Sequence, residues 1–207
     1  MSIQQIIIWI FTIAAAFSCG GIMFCRILPK LFKKIDICAL SPDGNPGAAN
    51  VFTYCGIKLG ILCLIMDLAK GFLPVYTAYK IFSSENLLFS LVISAPVLGH
   101  AVSPFDGKSG GKCIATSFGV LLALLPTTKA VFLLAGIYIF FSVVIKINPN
   151  SKRSIITFSI FGLISFVFLM MNGNAPAAIG CGVISAISVV KHLKIFEHIP
   201  VHEAIQC

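Results

Sequence analysis

Seven apolar runs, at roughly 3–25, 53–82, 87–105, 113–126, 129–146, 154–171 and 174–191, leave this chain few ways to fold. A membrane-spanning helix needs about 20 mainly apolar residues. In lipid every backbone N–H and C=O must be satisfied within the protein, which restricts runs of this length to helices. Hydrophobic residues make up 58% of the chain and charged residues 11%. A water-soluble domain carries about 25% charged residues, so this chain has too little polar surface to face water. The pattern predicts an all-α integral membrane protein of about seven transmembrane helices, folded as a single membrane-embedded domain over 1–207. The fourth run is short and rich in small residues and is expected to be half-buried or re-entrant. The second is long, and Pro74 is expected to kink it.

The N-terminal run has no basic residue before Arg26. A signal peptide needs a positively charged start, so this run reads as a retained first helix. The eight cysteines include no C-x-x-C and several fall inside apolar runs. Neither a disulfide framework nor a metal site is expected from those spacings, and free Cys in such runs acts as a small hydrophobe.

The formal net charge is +8. In a membrane protein basic residues accumulate in the loops that stay cytoplasmic, so the charge is read as topology and no nucleic-acid partner is expected. One side of the predicted bundle receives eleven Lys and Arg residues and the other only Lys80 and Lys129. This places the N-terminus outside and the C-terminus in the cytoplasm. The segments richest in Gly, Asn, His and Lys, namely 36–50, 99–119, 148–154 and the end of the last run, then converge on the cytoplasmic face. A site working at the inner membrane surface follows.

Two of those segments carry chemistry. "KSGGK" pairs Lys108 and Lys112 with Gly110 and Gly111, and successive glycine N–H groups can form an anion-binding nest. It is not a P-loop, because Asp106 stands where that motif needs glycine. A basic loop touching lipid headgroups is the alternative. In "SPDGNPGAAN", Gly44 and Gly47 permit tight turns, while the Asn45 and Asn50 amides can donate to a phosphate or an oxyanion. An ordinary Asn/Gly/Pro turn is the alternative there. Asp67 and Lys70 sit three apart on one helix face and are expected to form a paired, partly buried brace supporting the site rather than a proton relay. His100 and His192 lie at the cytoplasmic ends of their runs, where a histidine can act as a base near neutral pH.

Taken in order, these residues resemble the membrane-embedded glycerol-3-phosphate acyltransferases that use acyl phosphate as donor, the PlsY family. Its first motif, near D-x-R-x-x-G-S-G-N-x-G-x-T-N, is matched by Asp36, Gly44, Asn45, Gly47 and Asn50. A D-x-x-K-G is matched by Asp67, Lys70 and Gly71. The second motif is matched by Gly99, His100, Phe105, Gly110, Gly111, Lys112, Ala115 and Thr116 at unbroken spacing, and a third begins at His192. The chain departs from the pattern where Cys38 replaces the motif arginine, Asp43 the serine, Ser109 a lysine and Ile195 an asparagine.

The resemblance implies acyl transfer from acyl phosphate to the sn-1 hydroxyl of glycerol 3-phosphate, without cofactor or metal, at the cytoplasmic face of a bacterial plasma membrane. It implies catalytic roles for His192, His100 and Asn45. Phosphate binding falls to Gly44, Gly47, Asn50, Lys108, Gly110, Gly111, Lys112 and Arg153, with Asp67 and Lys70 in support. Membrane lipid is the surrounding partner. An anionic-solute transporter and a catalytically inactive paralogue are the competing readings. A transporter favours matched polar pairs in two halves, whereas this chain has one such pair.

Overall fold

The computed structural model describes residues 2–105 and 110–196, with side chains through Leu193, and every regular element in it is helical. In order these are α1 (Ile3–Gly21), α2 (Phe24–Lys33), α3 (Ile37–Leu40), α4 (Ala48–Cys55), α5 (Ile57–Ile81), α6 (Phe89–Val102), α7 (Ile114–Ala123), α8 (Ala130–Ile139, continued by a π-helical turn at Phe140–Val144), α9 (Asn150–Met171) and α10 (Ala175–Phe196). Lys108 lies outside the described residues.

Each of the seven runs yields a helix, with two differences from the sequence reading. The first run stops at Gly21, and an amphipathic helix, α2, begins after a two-residue break. The second run is broken at Gly56, whose φ of +85° separates α4 from α5, while α5 continues through Pro74. A positive φ is accessible to glycine without steric cost, so Gly56 is the stronger interruption. Among the described residues four helices are long and apolar enough to cross a membrane: Ile3–Gly21, Ile57–Ile81, Asn150–Met171 and Ala175–Leu193. The apolar helices at Phe89–Val102, Ile114–Ala123 and Ala130–Val144 are shorter.

Packing accounts for the short ones. Helix α6 is buried on most of its surface, including Phe89, Val92, Ile93 and Val97, and a helix apolar on all sides belongs in an interior. It lies between α1 and α10, while α7 packs on α5 and α9 packs on α10. Lipid offers no hydrophobic driving force between helices, so close backbone approach through small residues must supply the contact. At the α1–α6 crossing a Cβ on Gly20 would lie 2.0 Å from the Pro96 carbonyl oxygen. At the α5–α7 crossing a Cβ on Gly119 would lie 2.0 Å from the Leu68 oxygen. These crossings fix the C-terminal end of α6 and the N-terminal end of α7, which carry the second polar loop. A separate cluster of Cys25, Ile37, Val51, Cys55 and Cys63 seats the first polar loop on α5.

Candidate active site

The first loop is organised by Asp43. Asp36 caps the short α3 by accepting from the Cys38 N–H at 3.0 Å, and Gly44 at φ +58° turns the chain back. Asp43 Oδ1 then accepts from the Asn45 N–H at 3.2 Å and from Asn50 Nδ2 at 3.0 Å. The same Asn50 amide donates to the Asn45 carbonyl at 2.8 Å. Lys112 crosses from the second loop to place its ammonium 2.6 Å from Asp43 Oδ2. Burial alone would raise the Asp43 pKa. The hydrogen bond and charge of Lys112, followed by the Asn50 and Asn45 donors, outweigh it and hold the carboxyl below its ordinary value. The two loops therefore meet in one ionic clasp.

The second loop lies against the end of α6. The Gly111 N–H donates to the His100 carbonyl at 3.1 Å. A Cβ on Gly110 would come within 2.0 Å of that carbonyl, and one on Gly111 within 2.2 Å of His100 Nε2. These glycines let the chain pass over the histidine, where a side chain at either position would collide with it. Lys191 of α10 donates to the Ala101 carbonyl at 3.1 Å, tying a third helix to the same corner.

Behind the loops sits the Asp67–Lys70 pair, each residue 2% exposed, with Lys70 Nζ 2.9 Å from Asp67 Oδ1. Lys70 also donates to the Ile22 carbonyl at 2.6 Å, and Cys25 Sγ donates to Asp67 Oδ2 at 3.1 Å. The pair thus joins α5 to the break after α1 and to α2. An isolated buried charge is expensive, and this one is compensated on both sides.

Asp43, Asn45, Gly47, Asn50, Asp67, His100, Lys112 and Asn150 share the wall of one cavity of about 650 Å³. Its remaining wall is apolar and includes Leu64 and Leu68 of α5, Ile114, Ala115, Phe118 and Leu122 of α7, and Val131, Phe132 and Ala135 of α8. The space has a polar head with one ammonium and an apolar bore between three helices. It suits a molecule that is anionic at one end and aliphatic at the other.

Of the residues singled out from the sequence, Asn45, Gly47, Asn50, Asp67, His100 and Lys112 are on this wall. Gly44, Gly110, Gly111 and Lys70 stand just behind it in the loops and brace. Arg153 is not on the wall but donates from Nη2 to the wall residue Asn150, at Oδ1, at 2.7 Å. His192 is fully buried, with Nδ1 2.7 Å from the Ser188 carbonyl and no partner for Nε2 among the described residues. A carbonyl can only accept, so Nδ1 carries the proton and a neutral ring leaves Nε2 as an acceptor.

Two wall residues are not among those singled out from the sequence: Asp43, noted only as a substitution for serine, and Asn150, included only within the polar segment 148–154. The signal for Asp43 was its place directly before Gly44 and Asn45, at the motif's serine position. The signal for Asn150 was its place in the polar segment 148–154, and α9 brings it to the same cavity as the first loop, 100 or more residues away in sequence.

A family model for glycerol-3-phosphate acyltransferase matches residues 10–200. The chain belongs to the glycerol-3-phosphate acyltransferase family. It is 35% identical over 178 residues to the glycerol-3-phosphate acyltransferase of Maridesulfovibrio salexigens, covering 84% of this chain and 85% of that one. It is 32% identical over 185 residues to that of Aquifex aeolicus, covering 88% and 91%. Two crystal structures of PlsY, an integral membrane glycerol 3-phosphate acyltransferase, have the same fold. The glycerol 3-phosphate form superposes with a TM-score of 0.76 at 26% identity, over 96% of this chain and 99% of that one. The lysophosphatidic acid form gives 0.74 at 28% identity, over 91% and 90%. The family's member is thus an all-helical, multi-pass membrane protein.

Proposed function

We propose that this chain transfers an acyl group from an acyl phosphate to the sn-1 hydroxyl of glycerol 3-phosphate, giving lysophosphatidic acid and phosphate. The observation that carries the reading is the cavity's division into a head bearing Lys112, Asn45 and Asn50 and an apolar bore between α5, α7 and α8. An acyl phosphate and a lysophospholipid are both divided in this way. Family membership favours this enzyme over a solute transporter or an inactive paralogue.

In the reaction, the glycerol hydroxyl oxygen attacks the acyl carbonyl carbon and the bond from that carbon to the bridging phosphate oxygen breaks. Phosphate leaves with the bonding electrons, and the hydroxyl proton goes to the leaving phosphate or to a histidine. Lys112 and the Gly110–Gly111 segment hold the glycerol phosphate, together with Lys108. Gly44, Gly47 and Asn50 contact the acyl-phosphate end, where Arg153, acting through Asn150, steadies the head. Asn45 donates to the charge developing on the carbonyl oxygen; a donor so placed contributes roughly 3 kcal/mol. Positioning two anionic substrates in one cavity lowers the barrier by several kcal/mol more. His192 is the first candidate base, since Nε2 is free to accept, and His100 on the wall is the second.

The chain is further read as one domain of seven membrane-crossing segments, α1 and α5 to α10, with the N-terminus outside and the C-terminus in the cytoplasm. The site then faces the cytoplasm of a bacterial plasma membrane. The one-sided distribution of Lys and Arg supports this orientation.

The test is acyl transfer from palmitoyl phosphate to radiolabelled glycerol 3-phosphate by the purified chain, beside Lys112→Ala and with palmitoyl-CoA as a second donor. Lysophosphatidic acid from palmitoyl phosphate, lost in the variant, is the expected result. Product from the thioester alone would overturn the donor. No product from either, by folded protein, would overturn the reaction.

A further inference from the structure

We infer that Asp43 is a built-in competitor for the phosphate site, holding Lys112 and releasing it only to a dianionic phosphate monoester. The inference rests on the acyltransferase reading and adds to it a residue that sets specificity. Asp43 engages both polar loops at once: Oδ2 takes Lys112 at 2.6 Å, and Oδ1 takes the Asn50 amide and the Asn45 N–H at 3.0 and 3.2 Å. Those are the donors a bound phosphate needs, and a carboxylate already has them.

The charge balance agrees. Among the described residues of the cavity wall, Lys112 is the one fixed cation, set against Asp43 and Asp67. Asp67 is neutralised from behind by Lys70. With the clasp closed Lys112 has no uncompensated charge with which to hold a dianion. With Asp43 swung away, Lys112 and the Asn50 amide are freed together. Exposure indicates which partner moves, because the Asp43 side chain is 28% exposed and that of Lys112 11%.

The selectivity follows from charge and from the number of oxygens. A phosphate monoester dianion brings two charges and three terminal oxygens, and a carboxylate brings one charge and two oxygens. The monoester therefore displaces Asp43, whereas a phosphodiester, with one charge and two free oxygens, meets a competitor of its own strength. Ionised donors and acceptors make the stronger hydrogen bonds, so Lys112 goes to the group with more charge.

The experiment uses the full chain in detergent and reads ligand-induced stabilisation as a function of concentration, which reports affinity. Inorganic phosphate and dimethyl phosphate are the probes. The proteins are wild type, Asp43→Asn, Asp43→Ser and Asp43→Glu, with the KM for glycerol 3-phosphate measured alongside. Asp43→Asn is expected to bind inorganic phosphate roughly twofold to fivefold more tightly, the range for losing a competing, partly exposed ion pair. It should also acquire dimethyl phosphate binding, and its KM should fall in parallel. Asp43→Glu should keep the wild-type discrimination. If Asp43→Asn is too unstable to assay, Asp43→Ser is read in its place. Phosphate binding that is unchanged or weaker in the neutral variants overturns the inference and makes Asp43 a positioning residue. Tighter binding in a protein that makes no lysophosphatidic acid upholds the competitor and removes the reaction. Full activity with unchanged binding does the reverse.

Discussion

Replacing Lys70 by methionine is expected to be among the most damaging single changes in the chain, although Lys70 is not on the cavity wall. Methionine keeps the length of the stem and removes only the charge. Asp67, 2% exposed, would keep the weak Cys25 Sγ donor at 3.1 Å and lose the ammonium at 2.9 Å. The Ile22 carbonyl would lose the Lys70 donor at 2.6 Å and keep the Phe24 N–H at 3.2 Å. Removing one partner of a buried ion pair costs about 3–5 kcal/mol, whereas replacing both by apolar residues is often nearly neutral. For a chain of this size each kcal/mol moves the unfolding midpoint by roughly 2–4 °C, so Lys70→Met should lower it by roughly 6–20 °C. The double variant Lys70→Met/Asp67→Leu should recover most of that loss. The assay is thermal unfolding in one detergent at a fixed scan rate. It follows the fluorescence of Trp9, the single tryptophan, which stacks on Phe82 with ring centroids 4.2 Å apart. A drop of under about 2 °C for Lys70→Met, or a double variant no more stable than the single one, would refute the reasoning that Lys70 compensates a buried charge.

Lys112→Ala should raise the KM for glycerol 3-phosphate by roughly 10- to 100-fold, the worth of a charged hydrogen bond, in steady-state assays. Gly119→Ala places a methyl 2.0 Å from the Leu68 oxygen and should destabilise by about 1–3 kcal/mol as an overpacked contact. Gly136→Ala, with nothing within 4 Å of the new methyl, should stabilise by about 0.5–1 kcal/mol. Both are read by the same thermal scan. Because the Asp43 carboxyl is held below its ordinary pKa, the clasp stabilises the fold above the unfolded carboxylate pKa and is lost as pH falls through the lower folded value. Asp43→Asn should therefore lower the midpoint most near neutral pH, where the clasp contributes fully, and converge with wild type at acid pH, flattening the acid limb of a midpoint-against-pH curve. Ala135→Phe intrudes on the apolar bore and should shift donor preference from palmitoyl toward shorter acyl phosphates, measured by competition between chain lengths.

Much of this was legible in the sequence because lipid imposes simple conditions. Apolar run length and the need for internal hydrogen bonding determined that the chain is helical and membrane-embedded. The grouping of Gly, Asn and Lys in two loops marked Asn45, Asn50 and Lys112, which meet at the cavity. The brace of Asp67 and Lys70 followed from a spacing of three on one helix face. Such features are local, and periodicity and composition report local conditions well.

Tertiary structure decided the rest. The break in the second run falls at Gly56 because backbone conformation outweighs hydropathy, and proline inside a long helix is tolerated. The glycines at 110 and 111 prove to be pressed against His100, since only a bare backbone fits over that side chain. Asp43 passed for a substituted motif serine until Lys112, 69 residues later, was seen to close on it. Asn150 joins the cavity only through the placement of α9. A charge pair or a cavity wall assembled from distant segments depends on how helices cross, and that depends on which backbones can touch.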